Sequence, residues 1–336
     1  MLFRILSFVA VTMGAAMLVT SSPAMAEAEV RTDYVFGLKW DLEGVRHKLA
    51  LQDMALHWTS ANELLYPGFW DLGYNRNKGQ RLVSHFLKAG ENELSIFVVP
   101  ADAHEKSKLV VSLMYWKKQE GLDLAKGGLP AFRISLAPGQ RGQPYKLIYD
   151  PQDIANPIDL DHKKIHWVSH KDSGYEELVI PFINKQEMPE WCWQKGEPLT
   201  GDDGTAESLK AAYREMHKLL EARNNRRLMD EWYPTLLDEL ASLNILPRWR
   251  FEKLAGFDPI FRQPERFDLE PFLRDENLQL RIGGNGRYAS LLGGADIYQS
   301  PLAYAEFAQK DILVGYTLIN PYFIRQNGEW KLCRVS

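Results

Sequence analysis

The hydrophobic period of the chain changes near residue 200, and this change constrains the fold more than any motif does. Upstream, apolar and polar residues alternate. In LVSHFLKAGENELSIFVV (82–99), Leu94, Ile96 and Val98 recur at every second position, the period of a half-buried strand. Val83, His85 and Leu87 do the same across AGEN, a turn signal that predicts a hairpin. Further strand-like runs cover Leu109–Trp116, Phe132–Leu136, Tyr145–Tyr149, His166–Ser169 and Glu177–Phe182, with Gly, Pro, Asn and Asp between them. Short strands at this spacing predict an all-β sandwich over residues 30–195. Downstream, Leu209, Tyr213, Met216 and Leu220 form one stripe at helical spacing. Leu228, Trp232, Leu236 and Leu240 continue it, with Pro234 marking a kink or a new start.

After about residue 275 the alternation returns, with Leu278, Leu280 and Ile282 on one face and a closing hairpin around Asn327-Gly328. Helices followed by antiparallel strands predict an α+β domain over residues 205–336. The polar stretch KGEPLTGDDGT (195–205) reads as the joint, with 196–204 as linker. The expected fold class is therefore two-domain, an all-β sandwich followed by an α+β unit.

Two stretches of wording carry resemblances. FLKAGENELSIFV resembles hairpins of jelly-roll, galactose-binding-like sandwiches. YFIRQNGEWKLCRV resembles the last hairpin of NTF2-like (SnoaL-like) domains, which also begin with helices and finish on a curved sheet. The second resemblance implies an NTF2-like fold for 205–336 and a cupped sheet in which an Asp base and a Tyr oxyanion donor can work. Asp296, Tyr298, Tyr304 and Tyr316 are the residues placed to fill those roles.

Residues 1–26 read as an export leader: Arg4 is followed by the apolar run Ile5–Val19 and by Ala24-Met25-Ala26, a small-x-small cleavage site. No later segment approaches the ~20 apolar residues needed to cross a bilayer. The rest of the chain is thus expected to be exported, with the bacterial periplasm as its compartment. Net charge is −4, and −5 once Arg4 leaves with the leader, which argues against a nucleic-acid partner. Cys192 and Cys333 are the two cysteines; in an oxidising compartment they are candidates for one disulfide, with buried free thiols as the alternative.

RIGGNGRYASLLGG (281–294) poses the question of a phosphate loop. It lacks the Lys of a Walker loop, and no amphipathic helix follows, so Asn285-Gly286 reads as a turn with both residues at positive φ. His162, His166 and His170 stand four apart, but in a strand that spacing is about 13 Å, too wide for one ion. No metal site and no cofactor are expected. Seven of the ten tryptophans precede residue 195. Of these, Trp116, Trp191 and Trp193 are the candidates for stacking on a sugar, against the alternative that they fill a core.

With no catalytic signature, the leading expectation is an exported non-enzymatic binding or protein-interaction protein, such as a periplasmic immunity protein. Its partner would be a protein, a small molecule or a carbohydrate. The alternatives are a small-molecule isomerase or hydrolase using the C-terminal cup, and a carbohydrate binder using the N-terminal tryptophans.

Overall fold

The structure, a computed structural model, describes residues 33–58, 76–99, 107–119, 123, 126–136, 145–171, 174–232, 237, 239, 241, 243, 257–293, 300–309 and 312–335. Residues 31–336 cluster as one compact unit. Its strands fall into four antiparallel sheets.

The first sheet has the order β4 (Arg76–Leu82), β1 (Tyr34–Glu43), β6 (Lys108–Lys117), β7 (Leu129–Leu136), β8 (Tyr145–Ile148). The second runs β10 (His166–His170), β11 (Tyr175–Asn184), β5 (Gly90–Val98), β2 (His47–Leu51), β3 (Met54–Trp58), with β9 (Ile158–Asp159) also paired to β11. The third is β12 (Phe267–Leu269), β15 (Leu302–Gln309), β16 (Ile312–Ile319). The fourth is β13 (Leu278–Gly283), β14 (Tyr288–Gly293), β17 (Pro321–Gln326), β18 (Glu329–Val335). Two helices pack among these sheets: the short α1 (Cys192–Lys195) and the long α2 (Asp203–Glu221).

The local patterns build what they encode. Asp202 caps α2 by accepting from Thr205 N at 2.7 Å, and Leu209, Tyr213, Met216 and Leu220 are all fully buried. Gly284, Asn285 and Gly286 all have positive φ and turn β13 into β14, so the glycine cluster is a hairpin corner. Asn327 and Gly328 do the same between β17 and β18. Two local readings change. Ser84–Phe86 is a buried 3-10 turn, not a strand, and Trp191–Trp193 enters α1 rather than presenting two rings on one strand face.

The global expectation is corrected more deeply. The chain is mostly β, with four small sheets in a β-propeller-like ring, and not an all-β sandwich followed by an NTF2-like α+β domain. One hydrophobic cluster runs through residues of all four sheets and α2, from Val35 and Ile96 to Tyr304 and Phe323. Tyr322 Oη accepts from Ala55 N at 2.7 Å, and Tyr288 Oη donates to Gln52 O at 2.6 Å, so the fourth sheet is bonded to the β2–β3 hairpin. The stretch read as a linker is fastened as well. Glu197 N donates to Arg325 O and Leu199 N to Gly286 O, both at 2.8 Å. A side chain at Gly196 would meet Arg287 O at 2.0 Å, so only glycine fits that approach. Periodicity reports the partner-facing side of each element; it does not report which elements share an interior.

Candidate functional site

The residues singled out from sequence are mostly structural. Trp191 is fully buried and donates its indole N–H to Leu87 O at 2.6 Å. Trp193 donates to His85 O at 3.1 Å and Trp116 to Lys126 O at 2.8 Å, and both rings are buried. None of the three offers an open ring face to a sugar; they fill core and satisfy carbonyls. Tyr304 is buried and donates to Leu220 O at 2.9 Å, joining β15 to the end of α2, and burial pushes its phenol pKa up. Tyr316 lies half-buried on β16 opposite Ala305. Asp296 and Tyr298 lie outside the described residues, so the catalytic constellation expected for a cup is not assembled among the described residues. His166 and His170 sit on β10, and His162 in the turn before it. Among the described residues no group of three His, Cys, Asp or Glu is placed to hold a metal.

Cys192 and Cys333 form a disulfide, with Cα atoms 5.7 Å apart across 141 residues of sequence. It lies beside Arg334, a guanidinium with no solvent exposure. Both terminal nitrogens of Arg334 are held. It pairs with Glu239 at 2.6 Å and donates to Cys333 O at 2.8 Å and His85 O at 3.0 Å, and its Nη1 lies 2.9 Å from Cys192 Sγ. The Trp191 ring lies 5.9 Å from its carbon. Burial lowers the pKa of Arg334, and Glu239 opposes that effect. The same carboxylate accepts from Cys192 N at 2.6 Å. Next to it His85 is buried and held neutral, first by burial and then by the charges of Arg334 and Arg81. This junction fixes α1, the Ser84–Phe86 turn and β18 together.

A second buried cation has a different setting. On β2, Leu49 and Leu51 pair with Ile96 and Leu94 of β5 and face the main core. Lys48 and Ala50 point to the opposite face, where they sit across from Phe97 and Ser95. That face carries a small apolar cluster of its own, Ala50, Phe97, Val99 and Tyr175. Lys48 is only 4% exposed, with its ammonium 4.9 Å from the centre of the Phe97 ring. No described residue gives that ammonium a hydrogen bond or a salt bridge. Burial, and next the charge of Arg281, lower its pKa from 10.5 to about 7, while Asp53 and Glu177 act in the other direction.

The surrounding acids have other attachments. Glu177 is 2.7 Å from His170 Nε2. Glu93 is hydrogen-bonded to Ser95, and burial with the nearby Asp53 and Glu177 raises its pKa. Arg281, half-buried on β13, has no hydrogen bond or ion pair to any described residue either. Sequence reasoning missed Lys48 because HKLAL reads as a strand with an outward lysine, and nothing local says that the outer face is also covered.

A surface groove of about 450 Å³ lies elsewhere, lined by Asp33, Tyr34, Asn156, Lys185, Gln186 and Glu187 among others. Its buried amides are bonded within the protein: Gln186 bridges the Tyr34 backbone at 2.6 and 3.0 Å, and Asn156 donates to Ala131 O at 2.8 Å. Comparison with known proteins adds no analogy to these sites: no protein-family model, curated protein or solved structure matches the chain.

Proposed function

We propose that the chain is an exported binding protein of the bacterial periplasm and that its ligand seat is the outer face of the second sheet around Lys48. The disulfide supports an oxidising compartment. No helix among the described residues is long and apolar enough to cross a membrane. The seat rests on one observation: Lys48 is buried with no described carboxylate or carbonyl bound to its ammonium. Taking an ion out of water without a partner costs several kcal/mol, and folded chains concentrate such costs where something else completes the site.

The test is native mass spectrometry of the protein purified from periplasm without denaturation, compared with Lys48→Met. The wild type is expected to carry a small-molecule mass that denaturation releases and that the variant lacks. Equal occupancy in both proteins, or none in either, would end this reading.

A further inference from the structure

We infer that the Lys48 seat takes a small organic monocarboxylate, its carboxylate held between Lys48 and Arg281 and its apolar or aromatic body laid against Phe97. The inference rests on the reading of that face as the ligand seat and names what fills it.

Lys48 and Arg281 are close enough to act on each other's charge, and neither is bonded to any described acid. Two unpaired cations side by side repel, and an anion between them removes both the repulsion and the cost of burial. The guanidinium presents two parallel N–H groups suited to a carboxylate, and the ammonium adds a point charge.

The charge balance favours a single negative charge. Asp53, exposed in the β2–β3 turn, offsets one of the two cations. Glu177 is tied to His170, and Glu93 is pushed toward its neutral form. A dianion would face these three acids with little net positive charge to spare. The phenol of Tyr288 is not a competing anion, because burial raises its pKa well above 10 and its hydroxyl donates to Gln52 O.

The wall of the seat supplies the rest. Phe97, Ala50, Val99 and Tyr175 give an apolar surface beside the ammonium, which suits a hydrocarbon body and not a bare inorganic ion. The charged groups that face Lys48 are Arg281 from β13, Asp53 from the turn, Glu177 from β11 and Glu93 from β5. His166 and His170 stand on the neighbouring strand β10.

Binding should be linked to protons. An anion binds the charged amine, so affinity is expected to hold below pH 7 and to fall about tenfold per unit above it. Calorimetric titration tests this with acetate, benzoate, phenylacetate and octanoate, using benzamide as the neutral isostere of benzoate and phenyl phosphate as the dianion. At about pH 6 at least one carboxylate should bind saturably, and benzoate should bind at least tenfold more tightly than benzamide. Lys48→Met and Arg281→Gln should each weaken binding at least tenfold, and Lys48→Met should abolish the dependence on pH.

Benzamide binding as well as benzoate would overturn the carboxylate inference while leaving a seat in place. Tighter binding of phenyl phosphate than of every carboxylate would overturn it too, as would failure of all four carboxylates; the mass measurement reports on the seat separately. Should Lys48→Met not fold, Arg281→Gln and the pH profile of the wild type carry the test, and a flat profile from about pH 6 to 9 counts against it.

Discussion

Arg334 and Lys48 are both buried cations, and the two places in the molecule treat them in opposite ways. Arg334 has a carboxylate, two carbonyls, a sulfur and an indole ring around it, next to a covalent bond. Lys48 has a phenyl ring and otherwise only charges at a distance. A compensated buried charge holds elements in register; an uncompensated one is held by the surrounding fold at a cost. The difference separates scaffold from seat without recourse to motifs.

Four changes would break or sharpen this contrast. Replacing both cysteines by alanine opens a closed loop of 141 residues and removes the sulfur beside Arg334. In the chain-entropy picture the expected loss is about 5 kcal/mol, read from urea unfolding. Arg334→Met leaves Glu239 buried without its cation and should cost about 3–5 kcal/mol in the same measurement. A loss under about 1 kcal/mol would mean that the junction is no scaffold.

Lys48→Met should act with the opposite sign, stabilising the ligand-free protein by about 1–4 kcal/mol at about pH 6. The folded lysine has its pKa lowered to about 7, whereas the unfolded one keeps its proton to 10.5. Between these values the unfolded state holds more protons, so the wild type gains stability as pH rises. The advantage of the variant is therefore complete below pH 7 and gone by about pH 10.5. A difference between the two proteins that does not change with pH would contradict this account of the site.

The smallest effect belongs to His170→Gln. Its ring is 40% exposed, so losing the contact with Glu177 should cost under about 1 kcal/mol. The freed carboxylate should nonetheless raise the pH at which Lys48 titrates, measurable by NMR of its side chain.

Much of the local structure could be read from the chain. The stripe Leu209–Leu220 is the buried side of α2, Leu94, Ile96 and Val98 face the main core from β5, and Asn285-Gly286 turns a hairpin. What could not be read is how sheets meet. Tyr288 and Tyr322 bond to the β2–β3 hairpin across more than 230 residues, and no local period encodes such a contact. The helical stripe after residue 205 reads as the start of a separate α+β unit, but it supplies one long helix laid into a shared core.

The tryptophans are conspicuous in sequence and prove to be core, because an indole buries more area than any other side chain and needs only one carbonyl partner. Lys48 is inconspicuous for the opposite reason. Alternation in β2 correctly turns it away from Leu49 and Leu51, but the burial of that second face comes from elsewhere in the molecule.

The covalent link between Cys192 and Cys333 also sets a timetable for biogenesis. At ordinary rates of synthesis Cys192 is made on the order of ten seconds before Cys333. During that wait its thiol is open to any oxidant or stray cysteine, and the native crosslink becomes available only once β18 has been delivered. Maturation is thus gated by the arrival of one late strand, and oxidase action before then can only produce adducts that must later be undone.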